Sequence, residues 1–213
     1  MRRVLLLGAT GLVGSELLPM LLADDTITRV IVITRRPTNV RHVKLDERIF
    51  DLAEMDRHPT IFAADQIFCT LGTTIRNAGS QEQFRFVDHD LPLMAAKLGL
   101  EHGAHHYLIV SALGANAKSQ VFYNRVKGET ENDLIALGYR SLTIARPSLL
   151  LGPRKERRTG EEIGKLFGWL LPPKYRPIEA KAVAHALAES ARKDEPGVHI
   201  IESREMRLSF RAA

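Results

Sequence analysis

VLLLGATGLVG, residues 4–14, decides how this chain folds. Four apolar residues, Val4, Leu5, Leu6 and Leu7, run into Gly8, Ala9, Thr10, Gly11, Leu12, Val13 and Gly14, and an apolar pattern at helical spacing continues to Ala23. The order is strand, tight glycine turn, helix. Gly8 and Gly11 permit turn conformations and leave no Cβ between the backbone and a phosphate, while Gly14 lets the new helix lie close to the strand. The unsatisfied N–H groups and the positive dipole end of that helix then face the phosphate. A G-x-x-G-x-x-G spacing after a strand and before a helix predicts a dinucleotide site formed by Gly8, Thr10, Gly11, Leu12, Val13 and Gly14.

Outward from this turn, apolar runs at 30–33, 66–72, 107–110, 141–145 and 198–202 read as strands, with a shorter one at 48–52. Helical patterns occupy 80–103, 121–137 and 179–192, and Pro19 and Pro92 fall inside helical patterns, where they bend or interrupt them. Strands alternating with helices predict an α/β fold. The expected architecture is a single-domain, Rossmann-like, doubly wound parallel sheet with helices on both faces, spanning 1–213 with a small substrate or lid region at about 152–177. Near the end, Met206, Leu208 and Phe210 alternate with polar residues, which suits an edge strand or a partner contact, and a homodimer or a regulatory protein partner is open.

The composition narrows the function classes. The chain has 213 residues, enough for one sizeable domain, with 30 basic against 25 acidic side chains for a net charge of +5. The densest basic run, RKERR at 154–158, contains a glutamate and no aromatic residue, so base stacking, and with it a nucleic-acid partner, is not indicated. No apolar run reaches the length of about 18 residues that spans a bilayer. Arg2 and Arg3 precede an apolar run that glycines interrupt, which reads as the first strand and not as a signal peptide. The one cysteine, Cys69, lies in an apolar run and reads as a packing residue; with no disulfide available, a reducing, cytoplasmic location is expected. His102, His105 and His106 lack a compact set of partner ligands, read as capping or surface residues, and predict no metal site.

Residues at strand ends carry the expected chemistry. Enzymes that prefer NAD place an acidic residue about 20 positions past the glycine turn, whereas Arg35 and Arg36 stand here. Their guanidinium groups suit a 2′-phosphate, so the expected cofactor is NADP(H). Asp51 and Leu52 are placed where an adenine rests, and Leu71, Gly72 and Thr73 where the ribose and pyrophosphate lie. Tyr123 and Lys127, four apart on a helix, share one face. A neighbouring ammonium favours the phenolate and moves a reluctant tyrosine toward useful proton transfer. Ser111, twelve residues before Tyr123 at a strand end, is positioned to donate to a substrate carbonyl. Together these predict hydride transfer to a small-molecule carbonyl substrate, with Tyr123 as the acid-base.

The glycine turn, Ser111 and the YNRVK segment at 123–127 resemble the short-chain dehydrogenase/reductases. With TRR at 34–36, CTLGTT at 69–74, SALGA at 111–115 and RPSLLLG at 146–152, the chain is similar to the small atypical members related to the Tat-interacting oxidoreductase-like tumour suppressor. The resemblance implies a Rossmann fold, NADP(H), catalysis by Ser111, Tyr123 and Lys127, and Pro147 and Ser148 beside the nicotinamide. Where many such reductases carry an Asn that completes a proton relay, this chain reads Val87, Asp88, His89, Asp90, which puts Asp88 in that place. The alternative the resemblance implies is a non-enzymatic NADPH-binding redox sensor or regulatory scaffold.

Overall fold

Residues 1–151, 172 and 175–212 are described by a computed structural model. The strand, turn and helix of the opening stretch are present as β1 (Arg2–Leu7) and α1 (Leu12–Ala23), and α1 passes through Pro19 without a break. There follow β2 (Ile27–Thr34), β3 (Leu45–Ile49), β4 (Gln66–Cys69), α2 (Ile75–Ala78), α3 (Gln81–Arg85), α4 (Leu91–Glu101), β5 (His106–Val110) and α5 (Phe122–Ala136). The chain finishes with β6 (Ser141–Arg146), β7 (Leu150–Leu151), β8 (Ile178–Glu179), α6 (Ala180–Lys193), β9 (Gly197–Glu202) and α7 (Ser203–Ala212).

Seven strands form one sheet in the order β3-β2-β1-β4-β5-β6-β9, each pair parallel, and β7 pairs with β8 in a separate ribbon. Alternation along β1 assigns the two faces. Val4 and Leu6 join α1, α6 and Met206 in one apolar layer, and Leu5 and Leu7 join α4, Leu134 and Tyr107 in the other. The strand order reverses between β1 and β4, so the crevice at the carboxyl edge opens beside the glycine turn.

Several expectations shift. The third strand is 45–49 and not 48–52, because the Asp51 carboxylate accepts from Ala53 N–H at 3.0 Å and starts a 3-10 turn, Leu52–Arg57, that ends the strand. The fourth strand stops at Cys69, and Leu71 to Thr73 form a loop. Met206, Leu208 and Phe210 lie on helix α7 and not on an edge strand: Met206 and Phe210, four apart, pack on the core while Leu208 faces solvent. His106 is no surface histidine. It is buried in β5 between Asp194 and Thr143, each 2.9 Å from a ring nitrogen, and burial, partly opposed by Asp194, pushes its pKa down to about 4. Cys69 is buried in the apolar layer as expected. Most of the lid region at about 152–177, with the 154–158 basic run and Trp169, lies outside the described residues.

Pro92 interrupts the long helical pattern in a definite way. Immediately before α4 the chain makes one π-helical turn, Phe86–Asp90. Pro92 has no N–H to give to the carbonyl of Asp88 four residues back, and Thr130 Oγ1 of α5 lies 3.0 Å from that oxygen, its one hydrogen shared between it and Val126 O at 2.8 Å. Tyr107 Oη donates to the Pro92 carbonyl at 2.8 Å. The widened turn leaves Asp88 and His89 buried against α5.

Candidate active site

The glycine turn shows why each glycine stands where it does. Gly8 has φ +84°, and a Cβ there would lie 2.8 Å from the backbone of Thr70. At Gly14 a Cβ would lie 2.1 Å from Gly8 O, so the helix sits against the turn at a distance only glycine allows. Thr70 Oγ1, at the end of β4, reaches the carbonyls of Leu7 and Gly8 at 2.8 and 3.1 Å and ties two strand ends together. Helix α1 has no side-chain cap and no acidic residue in its first turn, and its first internal bond is Ser15 N–H to Gly11 O at 2.9 Å. The N–H groups of Leu12, Val13 and Gly14 therefore lead the helix dipole unopposed, which fits a dinucleotide diphosphate.

Arg35 and Arg36 follow β2 at the same edge, exposed, with no carboxylate paired to either among the described residues. Thr34 Oγ1 donates to Arg36 O at 2.7 Å and shapes that turn. Asp51 and Leu52 lie just beyond Phe50, whose N–H donates to Thr34 O at 3.1 Å, so they share this side of the crevice. The Asp51 carboxylate is engaged as a turn cap.

On the other side of β1 the polar groups are buried side chains. Lys127 Nζ lies 2.8 Å from Asp88 Oδ1, with the two side chains 5% and 1% exposed. Asp88 Oδ2 accepts the backbone N–H of Thr73 at 2.8 Å, which joins the loop after β4 to the same pair. Burial alone would push the ammonium down, but the Asp88 carboxylate, and after it Tyr123, hold Lys127 above the usual lysine range. The cation expected to act on the phenol is thus shared with an anion that the sequence placed only at the position of a relay Asn. Tyr123, half-buried, rests against Phe84 with ring centroids 5.4 Å apart.

Ser111 sits at the end of β5, its N–H donating to Ala145 O at 2.8 Å. Its hydroxyl donates to Glu131 Oε1, a buried carboxylate gripped by Arg146, whose Nη2 lies 2.5 Å from Oε2. Pro147 O accepts from Leu113 N–H at 2.8 Å, which draws the β6 end to the loop after Ser111. Ser148 turns the other way: its hydroxyl donates to Arg176 O and lies 2.8 Å from Ser203 Oγ. The loop at 112–119 rests on α5 at Gly128, where a Cβ would meet Ala117 N at 2.1 Å.

The structure therefore ties Lys127 and Thr73 to Asp88 with Tyr123 close enough to act on the ammonium, ties Ser111 to Glu131 one turn further along α5, ranges the glycine turn, Leu71, Gly72 and Pro147 along the same edge, and directs Ser148 toward α7. Sequence reasoning missed Glu131, Arg146 and Gly128. The available signal was spacing, since Tyr123, Lys127 and Glu131 recur every four residues on α5. Among the described residues no group of three or more metal-ligating side chains converges, and no helix is long and apolar enough to cross a membrane.

Comparisons with known proteins bear on this geometry. A model described as the NAD dependent epimerase/dehydratase family matches residues 4–112, a stretch that takes in the glycine turn and ends one residue past Ser111. Protein FMP52, mitochondrial, of Eremothecium gossypii is 34% identical over 213 residues, 95% of this chain and 94% of that protein. Protein HTATIP2 of Rattus norvegicus is 33% identical over 175 residues, 80% and 72% of the two chains. Among solved structures, MoeE5 in complex with UDP-glucuronic acid and NAD superposes with a TM-score of 0.73 at 16% identity, covering 93% of this chain and 75% of that one. The Bordetella bronchiseptica enzyme WbmH in complex with NAD+ gives 0.71 at 15% identity, covering 95% and 76%. The cytoplasmic location expected from cysteine usage does not stand, since FMP52 proteins from several fungi are named mitochondrial. A single buried cysteine is compatible with any reducing compartment.

Proposed function

The chain belongs to the NAD dependent epimerase/dehydratase family, a family of NAD(P)-dependent oxidoreductases, and on that premise we propose that it is an NADP(H)-dependent reductase of a small carbonyl compound. The observation that carries the reading is the buried Asp88–Lys127 pair beside Tyr123 and Ser111, at the sheet edge where the glycine turn opens. NADPH, when bound, supplies the hydride.

The residues do the rest. The turn from Gly8 to Gly14 holds the diphosphate with backbone N–H groups, and Arg35 and Arg36 face the 2′-phosphate. Asp51 and Leu52 flank the adenine, and Leu71, Gly72 and Thr73 line the path toward the ribose. Lys127 is fixed by Asp88 and by the Val110 carbonyl, at 2.8 and 3.5 Å, and has one ammonium hydrogen left to orient a ribose hydroxyl. Tyr123 delivers a proton to the carbonyl oxygen as it gains charge, and Pro147 borders the nicotinamide, while Ser148, expected there too, gives its hydroxyl to Arg176 O on the α7 side instead. Tyr123→Phe is expected to abolish NADPH consumption with carbonyl substrates while NADPH binding, followed by fluorescence, stays within about threefold of wild type; retained turnover overturns the assignment.

One observation favours a second reading, that the chain binds NADPH and reports its occupancy to a protein partner. Asp88 is a carboxylate fixed in an ion pair, so it cannot donate a hydrogen as the amide of an Asn relay would. Tyr123-dependent turnover of any carbonyl compound excludes the pure sensor.

A further inference from the structure

We propose that Glu131 is a positioning residue that takes the hydroxyl hydrogen of Ser111, so that Ser111 meets the substrate as an acceptor and reads one of its hydroxyl groups. The inference rests on the oxidoreductase reading and changes the role of Ser111 within it. A serine hydroxyl has one hydrogen and two lone pairs, and an ionised carboxylate only accepts. That one hydrogen points at Glu131 Oε1. The backbone of Ser111 is pinned by its bond to Ala145, so the choice left to the side chain is where its hydrogen goes.

Glu131 is built to keep that hydrogen. It is 3% exposed, on the same side of α5 as Lys127, and Arg146 Nε lies 3.1 and 3.2 Å from its two oxygens. The guanidinium also approaches Glu202, at 3.8 Å, so it neutralises carboxylates on two elements. Gripped in this way by a guanidinium, the Glu131 carboxylate has a charge-assisted hydrogen bond from Ser111 as its natural further partner. Donation to a substrate carbonyl would strip that bond from a buried carboxylate.

What remains for the crevice is a pair of lone pairs on Ser111 Oγ. A carbonyl oxygen offers only lone pairs in return, whereas a hydroxyl offers a hydrogen. The reacting oxygen is then polarised by Tyr123, and Ser111 selects a substrate that carries a hydroxyl beside its carbonyl. A site built around a hydrogen bond rejects the analogue that lacks the partner group more strongly than an apolar pocket rejects a missing methylene.

The test uses the full chain loaded with NADPH. Proton NMR is expected to show a slowly exchanging hydroxyl resonance that vanishes in Ser111→Ala and moves in Glu131→Gln. In turnover assays with ketones of equal length, with and without an adjacent hydroxyl, wild type is expected to favour the hydroxyketone by roughly tenfold or more in kcat/KM. Glu131→Gln reduces that preference, Ser111→Ala removes it, and adding Glu131→Gln to Ser111→Ala changes nothing further. Should Glu131→Gln not fold, Glu131→Met with Arg146→Met removes both charges and replaces it. A Ser111 resonance indifferent to the loss of Glu131, or a Glu131→Gln effect of equal size in both backgrounds, overturns the proposal. If wild type turns over no ketone, the oxidoreductase reading fails, and the resonance alone still decides how Ser111 is oriented.

Discussion

From Gly8 to Gly14 the chain shapes its crevice with backbone, in one uninterrupted stretch; across Asp88, Ser111, Lys127, Glu131 and Arg146 it does so with buried and half-buried side chains from four segments. The first region works by leaving atoms out, and its tolerances are set by where a Cβ would fall. The second works by compensating charges among buried groups, and its tolerances are set by whether each charge keeps its partner. Substitutions that are mild in one region are therefore severe in the other.

The largest effect is expected at Gly14. A side chain there meets Gly8 O at 2.1 Å and Thr70 Oγ1 at 2.7 Å, and neither can retreat without opening the turn. Gly14→Val should abolish NADPH binding in a fluorescence titration. At Gly11 the nearest atom to a Cβ is 3.2 Å away, so Gly11→Ala should weaken binding by roughly tenfold at most. Equal losses at the two positions would mean that contact with the ligand, and not packing of the turn, sets the requirement.

Removing a partner from the buried pair comes next. Asp88→Ala leaves the Lys127 ammonium buried without its anion and Thr73 N–H without its acceptor, at a cost of about 3–5 kcal/mol in chemical denaturation. Asp88→Leu combined with Lys127→Met should return most of that stability and none of the activity. That outcome would separate what the pair does for the fold from what Lys127 does for chemistry; a double variant as unstable as the single one would deny the charge-compensation account.

These two regions also explain what was legible beforehand. A backbone site is written in consecutive residues, so the spacing of Gly8, Gly11 and Gly14 after an apolar strand announced both the fold and its crevice. The order of strands and helices followed from their alternation. The side-chain cluster depends on which strand lies beside which, and nothing at position 131 or 146 says that Glu131 and Arg146 will meet beneath Ser111. The π-helical turn that carries Asp88 arises from the missing N–H of Pro92 together with Thr130 on another helix, a combination visible only in three dimensions. Alternating Met206, Leu208 and Phe210 suggested a strand because a run of three tests period two as well as it tests a helix; burial of the first and third alone decided for the helix.

A buried group at the opposite, amino-terminal edge of the sheet provides a third contrast, since His106 is held neutral where Lys127 is held charged. Burial lowers its pKa to about 4, against the roughly 6.5 of an unfolded chain. As pH falls, the unfolded chain takes up the proton first, so the stability is present above about pH 6.5 and is lost progressively down to about pH 4. Up to about 3 kcal/mol should disappear across that window, with Asp194 and its partner Arg140, and the imidazoles of His105 and His199, as the neighbouring titratable and charged groups. His106→Gln should flatten the pH dependence of unfolding; an unchanged slope would assign it to other groups.

The smallest expected effect tests whether the backbone region has a side-chain annex of its own. Arg35 and Arg36 are exposed, so their charge acts through water and salt, and each alone is worth little. Their value lies in forked donation to a phosphate, which a 2′-hydroxyl cannot accept in the same way. Wild type should bind NADPH at least tenfold more tightly than NADH, about 1.4 kcal/mol. Arg35→Ser with Arg36→Ser should erase that preference by weakening NADPH alone, and added salt should narrow it in wild type. If NADH affinity fell in parallel, the arginines would be supporting the turn after β2, where Thr34 Oγ1 already holds Arg36 O, and the cofactor preference would have to come from elsewhere on the crevice wall.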